Sequence, residues 1–269
     1  MNAHIIRAML WKEWHESRAK WVVFLVTFHI PLVLLLAGIA PVTNVSANLA
    51  KGGHYDIRYS ILVALAVQSF FILTIGLFLI SFYATSAVSP EIANKQVFFL
   101  FERPVRREAI LLLKFLAGAV EVAACMAISI FVTVCVSYIV ALVKSSGAES
   151  QLLSDEHLRM LSRLAGGILG TSAVAITVYS AAFFLSIVFE KWWAGALAGS
   201  IAMLVLLRFA GARIRDWIIN VIGMSSDPLK TADYSPFSHL GAPPVLGMIL
   251  VCSLFYLASQ YLFARKEMR

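Results

Sequence analysis

Long runs without a charged residue alternate with short polar connections along this chain, and that alternation predicts a bundle of membrane-crossing helices. A spanning helix needs about 20 apolar residues. Trp21–Pro41 carries no Asp, Glu, Lys or Arg, and neither does Ile61–Ser89. Ile110–Val143 is interrupted only by Lys114 and Glu121, and Leu164–Phe189 is uncharged again. The stretch 192–208 is short, but snorkelling by Lys191 and Arg208 lets it reach both interfaces. Pro243–Ala264 is the sixth run. The pattern therefore predicts an all-α integral membrane protein: one transmembrane domain over 1–269, with spans at 21–41, 61–89, 110–143, 164–189, 192–208 and 243–264. The first run exceeds the 7–15 apolar residues usual in a signal peptide and follows a long polar lead, so a retained helix is expected.

Two of the polar flanks are amphipathic, and a third holds a helix start. In the first, residues 1–20, Ile6, Leu10 and Trp14 recur at helical spacing towards Trp21, while Lys12, Glu13, Glu16 and Lys20 occupy much of the rest. Tryptophan and basic residues together favour the lipid–water boundary, so an interfacial helix leading into the first span is expected. In the connection 208–242, Ile214, Trp217, Ile218 and Val221 lie opposite Arg213, Asp216 and Asn220, which predicts a short amphipathic external helix. Ser154-Asp155-Glu156-His157 reads as the start of a small external helix before the fourth span. With these flanks placed, twelve Lys and Arg stand beside the termini and the second and fourth connections, against nine spread over the longer connections opposite. That density predicts both termini in the cytoplasm.

Composition excludes the soluble and disordered classes. Hydrophobic residues make up 60% of the chain, and mean hydropathy is +0.84. Only 14% of residues are charged, against about 25% in an average soluble domain. The net charge of +7 suits anionic lipid head groups, with no room for a nucleic-acid-binding domain. Three cysteines inside apolar runs make no disulfide framework. The sequence contains no G-x-x-x-x-G-K-[ST], H-E-x-x-H or G-x-S-x-G motif and no paired C-x-x-C. No catalytic, cofactor-binding or metal-ligating residue is therefore assigned, and the chain is not expected to be an enzyme.

The connection at 90–107 is the most distinctive. Pro90 suits a helix start, Glu91 then meets the positive end of the helix dipole, and Pro104 stops the helix about three turns on. Between them Val97-Phe98-Phe99-Leu100-Phe101 is unusually apolar for a cytoplasmic loop, and Arg103, Arg106 and Arg107 form a basic cluster. Such a face packs on membrane helices or docks into a partner.

Ionisable groups at membrane depth are functional candidates by default. Lys114 is expected to snorkel. Glu121, seven residues on, either faces a pathway or a dimer partner, or sits near the interface and reaches water or Lys114. His29, two residues before Pro31, reads as a hydrogen-bonded packing residue more readily than as a ligand. Gln68 and Gln260 read as glue between helices.

The stretch around 90–118 resembles the permease subunits of ABC-2 type transporters, which carry a sequence like E-R-E-x-G-T-L-E-x-L-L-S-x-P-V-S-R after their second span. Glu91, Leu100, Pro104, Val105 and Arg107 match it. Ile110-Leu111-Leu112-Leu113-Lys114-Phe115-Leu116-Ala117-Gly118 matches the run that follows. The chain departs at Lys95-Gln96, where the family has Gly-Thr, and at Phe98, where an acidic residue is usual. The resemblance implies a subunit forming half of a transmembrane pathway in a bacterial inner membrane, paired with a second copy or a paralogue. A separate ABC ATP-binding subunit would hold ATP and Mg. The segment 90–107 would be the coupling helix seated in that ATPase, with Glu91, Phe99, Phe101, Pro104 and Arg107 as coupling candidates. Two alternatives stand beside it: a non-transporting scaffold that recruits a soluble partner, and an intramembrane enzyme.

Overall fold

The computed structural model describes residues 3–36, 64–65, 68–69, 71–87, 107–144, 155–189, 193, 197–202, 204–205, 208 and 242–266. Every regular element among them is a helix: α1 (Ala3–Leu36), α2 (Ile72–Ser86, opening with a π-helical turn at Ile72–Gly76), α3 (Arg107–Lys144), α4 (Asp155–Phe189) and α5 (Ala242–Lys266). Three stretches are long and apolar enough to cross a membrane: Glu108–Ile139 in α3, Leu169–Phe189 in α4 and Leu246–Arg265 in α5. Ile72–Ser86 is a shorter apolar helix. The end of the expected first span, parts of the second and fifth, the coupling segment up to residue 106 and nearly all of 208–242 lie outside the described residues.

Two boundaries differ from the sequence reading. Helix α1 runs unbroken for 34 residues, about 51 Å at 1.5 Å per residue, through the expected junction at Trp21. Nothing from Ala3 to Ile30 is Gly or Pro, so no residue there stops a helix. Helix α4 likewise begins at Asp155 and continues to Phe189, so the expected small external helix is the opening of one long helix. Gly166 and Gly167 lie inside it without ending it.

Helix α4 is the hub, packing against α2, α3 and α5, while α1 packs on α3 and on the π-helical turn. The core is aromatic at its centre. Tyr179, Phe183 and Ile187 of α4 are fully buried with Ile80, Met126 and Phe28. Phe115 meets Phe183 edge-on at 5.4 Å, and Phe24 meets Tyr83 at 5.6 Å. Two glycines permit close approach. A Cβ at Gly76 would lie 2.9 Å from Phe28 Cε1, and one at Gly118 would overlap the Tyr179 hydroxyl.

Contacts also give the helix directions. Glu13 and Ser17 of α1 meet Lys114 and Glu121 of α3 in ascending order, so these two helices run the same way. Gln68 meets Ser129, whereas Tyr83 meets Glu121 and Ala87 meets Lys114, so the α2 segment runs opposite to α3. Helix α4 also opposes α3, through Tyr179 on Gly118 and Phe183 on Phe115. Helices α4 and α5 run the same way, with Thr177 beside Cys252 and Phe184 beside Phe255.

Candidate functional site

One end of the bundle is held by a polar seam. On α1, Glu13, Ser17 and Lys20 are spaced to lie on one face; on α3, Lys114, Gly118 and Glu121 do the same. The two faces meet in register. Lys114 Nζ donates to Glu13 Oε1 at 2.5 Å, with only 5% of its side chain exposed and 16% of that of Glu13. The same ammonium reaches the Ala87 carbonyl at 3.4 Å, tying in the end of α2. Deeper in, Ser17 Oγ donates to Glu121 Oε1 at 2.9 Å, and the Tyr83 hydroxyl donates to Glu121 Oε2. A single carboxylate on α3 thereby accepts from both α1 and α2.

Around this seam the chemistry stays polar but crowded. Lys20 Nζ lies 5.5 Å from the Tyr83 ring centre. Burial pushes the Lys20 ammonium below its ordinary range, opposed by the attraction of Glu13, Glu16 and Glu121. The Trp21 indole N–H is buried near the carboxylate but outside hydrogen-bond geometry. Trp21, Phe24, Tyr83, Glu121 and Cys125 help to line a cavity of about 10 Å³, about the space of one water molecule. The seam thus provides a hydrogen-bonded strap across three helices. Among the described residues, no three His, Cys, Asp or Glu converge to hold a metal ion.

The sequence candidates fall unevenly on this geometry. Glu121 is half-buried and bonded to Ser17 and Tyr83 rather than to Lys114. Lys114 does not snorkel: it turns inward, because Glu13 and a helix-end carbonyl offer it partners between the helices. His29 stays within its own helix, its Nδ1 2.6 Å from the Leu25 carbonyl and its Nε2 buried without a partner. Gln68 does join helices, donating from Nε2 to Ser129 Oγ at 2.6 Å. Gln260 instead donates to Tyr256 of its own helix at 2.5 Å. Arg107 opens α3; Glu91, Phe99, Phe101 and Pro104 lie outside the described residues.

Glu13, Ser17 and Tyr83 were not singled out in the sequence. The amphipathic reading of the N-terminal segment followed its large apolar residues, yet Leu10 and Trp14 are 44% and 52% exposed while Ser17 is buried. The available signal was the matched spacing: Glu13, Ser17 and Lys20 repeat the intervals of Lys114, Gly118 and Glu121. No family model, curated protein or solved structure matches this chain.

Proposed function

We propose that the chain is the membrane-spanning subunit of an ATP-driven transporter, pairing with a second copy or a paralogue and driven by a separate ATP-binding subunit that carries ATP and Mg. The observation that carries this reading is the polar seam. The segment 90–107 joins the end of α2 to the start of α3, and Lys114 clamps those two ends to each other and to α1. ATP-driven closure can move membrane helices only through an element rigidly tied to them. A push delivered at Glu91, Phe99, Phe101, Pro104 or Arg107 would enter three helices as one body. The motif resemblance at Glu91–Arg107 and Ile110–Gly118 supports the same reading.

A six-span layout fits the helix directions. Since α4 and α5 run the same way, a fifth span between them, expected at 192–208, would complete the six. Both termini then fall on the side of the basic flanks, the cytoplasmic side.

Affinity purification of the tagged chain from its native membranes tests the reading. An ATP-hydrolysing subunit should co-purify. Phe99→Ala with Phe101→Ala should cut its recovery by about tenfold or more, since each ring contributes roughly 1–3 kcal/mol if buried in a partner. A preparation without ATPase activity overturns the proposal.

A further inference from the structure

Beyond the seam, the inner face of α3 changes character. Up to Met126 it is packed with apolar groups, and from there it continues through Ser129, Thr133 and Ser137, each one turn from the last and each buried. Gln68 lies against the first of them, donating to Ser129 Oγ while its own carbonyl oxygen stays buried without a partner. Thr133 Oγ1 and Ser137 Oγ are also buried without a partner, at 0% and 5% residue exposure.

Among the described residues, these two are the Ser and Thr hydroxyls that are buried with no partner. A Ser or Thr inside an apolar helix normally satisfies itself on the carbonyl one turn back. Thr27, Ser81, Thr177, Ser180, Ser253 and Ser259 all do so, at 2.8–2.9 Å. Thr133 and Ser137 do not, so their donors and lone pairs remain free on a face that also holds the free Gln68 carbonyl. Leaving three buried polar atoms unpaired in an apolar interior is costly unless another group supplies the missing bonds.

Resting on the transporter reading, we infer that Gln68, Ser129, Thr133 and Ser137 line a polar route through the bundle, fitted to neutral groups that both donate and accept hydrogen bonds, such as the hydroxyls or amides of a cargo and the water that accompanies it. Neutrality follows from the lining: α3 carries no charged residue from Val122 to Val143. The opposite face of the same stretch, with Ile128 and Phe131 at 42% and 68% exposure, is apolar and belongs to lipid.

Cysteine accessibility tests the assignment without any ATPase. Thr133→Cys, Ser137→Cys, Ile128→Cys and Phe131→Cys are made singly in a background with Cys125, Cys135 and Cys252 replaced by Ala. Membrane vesicles, with and without MgATP, are treated with hydroxyethyl methanethiosulfonate. Because the thiolate forms in water and not in hydrocarbon, positions 133 and 137 should react about tenfold or more faster than 128 and 131 under at least one condition. The trimethylammonium analogue should react at 133 and 137 more slowly than the neutral reagent. Equal or slower reaction at 133 and 137 than at the lipid-facing positions overturns the route, and faster reaction of the charged reagent overturns its neutrality. Should Thr133→Cys fail to fold, the near-isosteric Ser137→Cys decides alone. Co-purification of an ATPase bears on the transporter reading and is unaffected by either result.

Discussion

Helices α3 and α5 are both long and apolar enough to cross a membrane, yet they are used differently. One third of the most apolar stretch of α3 is buried against its neighbours, whereas only 6% of that of α5 is. Large side chains of α5, Leu246, Leu250, Leu254, Leu257 and Tyr261, recur on an exposed face. The buried face of α3 holds Lys114, Gly118, Ser129 and Thr133. In lipid, apolar side chains gain little by leaving the hydrocarbon for a protein interior, so association falls to close packing at small residues and to polar pairs. Apolarity reports that a helix is suited to the bilayer; its small and polar residues report which side meets another helix.

Breaking the seam should have the largest effect. Glu13→Gln leaves the Lys114 ammonium between helices without its carboxylate, which costs roughly 3–5 kcal/mol for a buried pair. Thermal unfolding in detergent should show that loss, and Lys114→Met added to Glu13→Gln should recover much of it. If the double variant is as unstable as the single, the pair is not what holds α1 to α3.

Glycines provide the next contrast. Gly118→Ala would drive a methyl into the fully buried Tyr179 hydroxyl, whereas a Cβ at Gly247 meets nothing within 4 Å. Overpacking costs roughly 1–3 kcal/mol, and the first substitution should lie near the top of that range because the Tyr179 ring is enclosed. Gly247→Ala should be neutral or stabilise by up to about 1 kcal/mol through helix propensity. Equal melting temperatures for the two would contradict the packing of α3 on α4.

Truncation should give the smallest difference. Met126→Ala empties a site with no exposed surface, and the lost transfer free energy together with the cavity left behind should cost at least about 2 kcal/mol. Leu254→Ala, at 66% exposure on α5, should stay within about 0.5 kcal/mol. A larger loss at Leu254 would show that this face is covered by protein rather than lipid.

Charge-free run length determined the helical class, the membrane-compatible helices within α3, α4 and α5, and the candidacy of Glu121 and Lys114. These are decided by local free energies, since a long apolar helix with internally satisfied backbone is what hydrocarbon permits. The limits of α1 and α4 were less legible, because a polar flank and an apolar span can share one helix when no residue between them breaks it. Partner choice was legible only faintly, as a matched spacing between α1 and α3. Lys114 could have reached the interface, and only the arrival of Glu13 and the Ala87 carbonyl beside it turned it inward. Glu121 gained Ser17 and Tyr83 from residues 104 and 38 positions away. Periodicity can place a side chain on a face, but hydrogen bonds form over about 3 Å. Which residues come within that distance is set by how the helices cross, and that is a property of the assembled bundle.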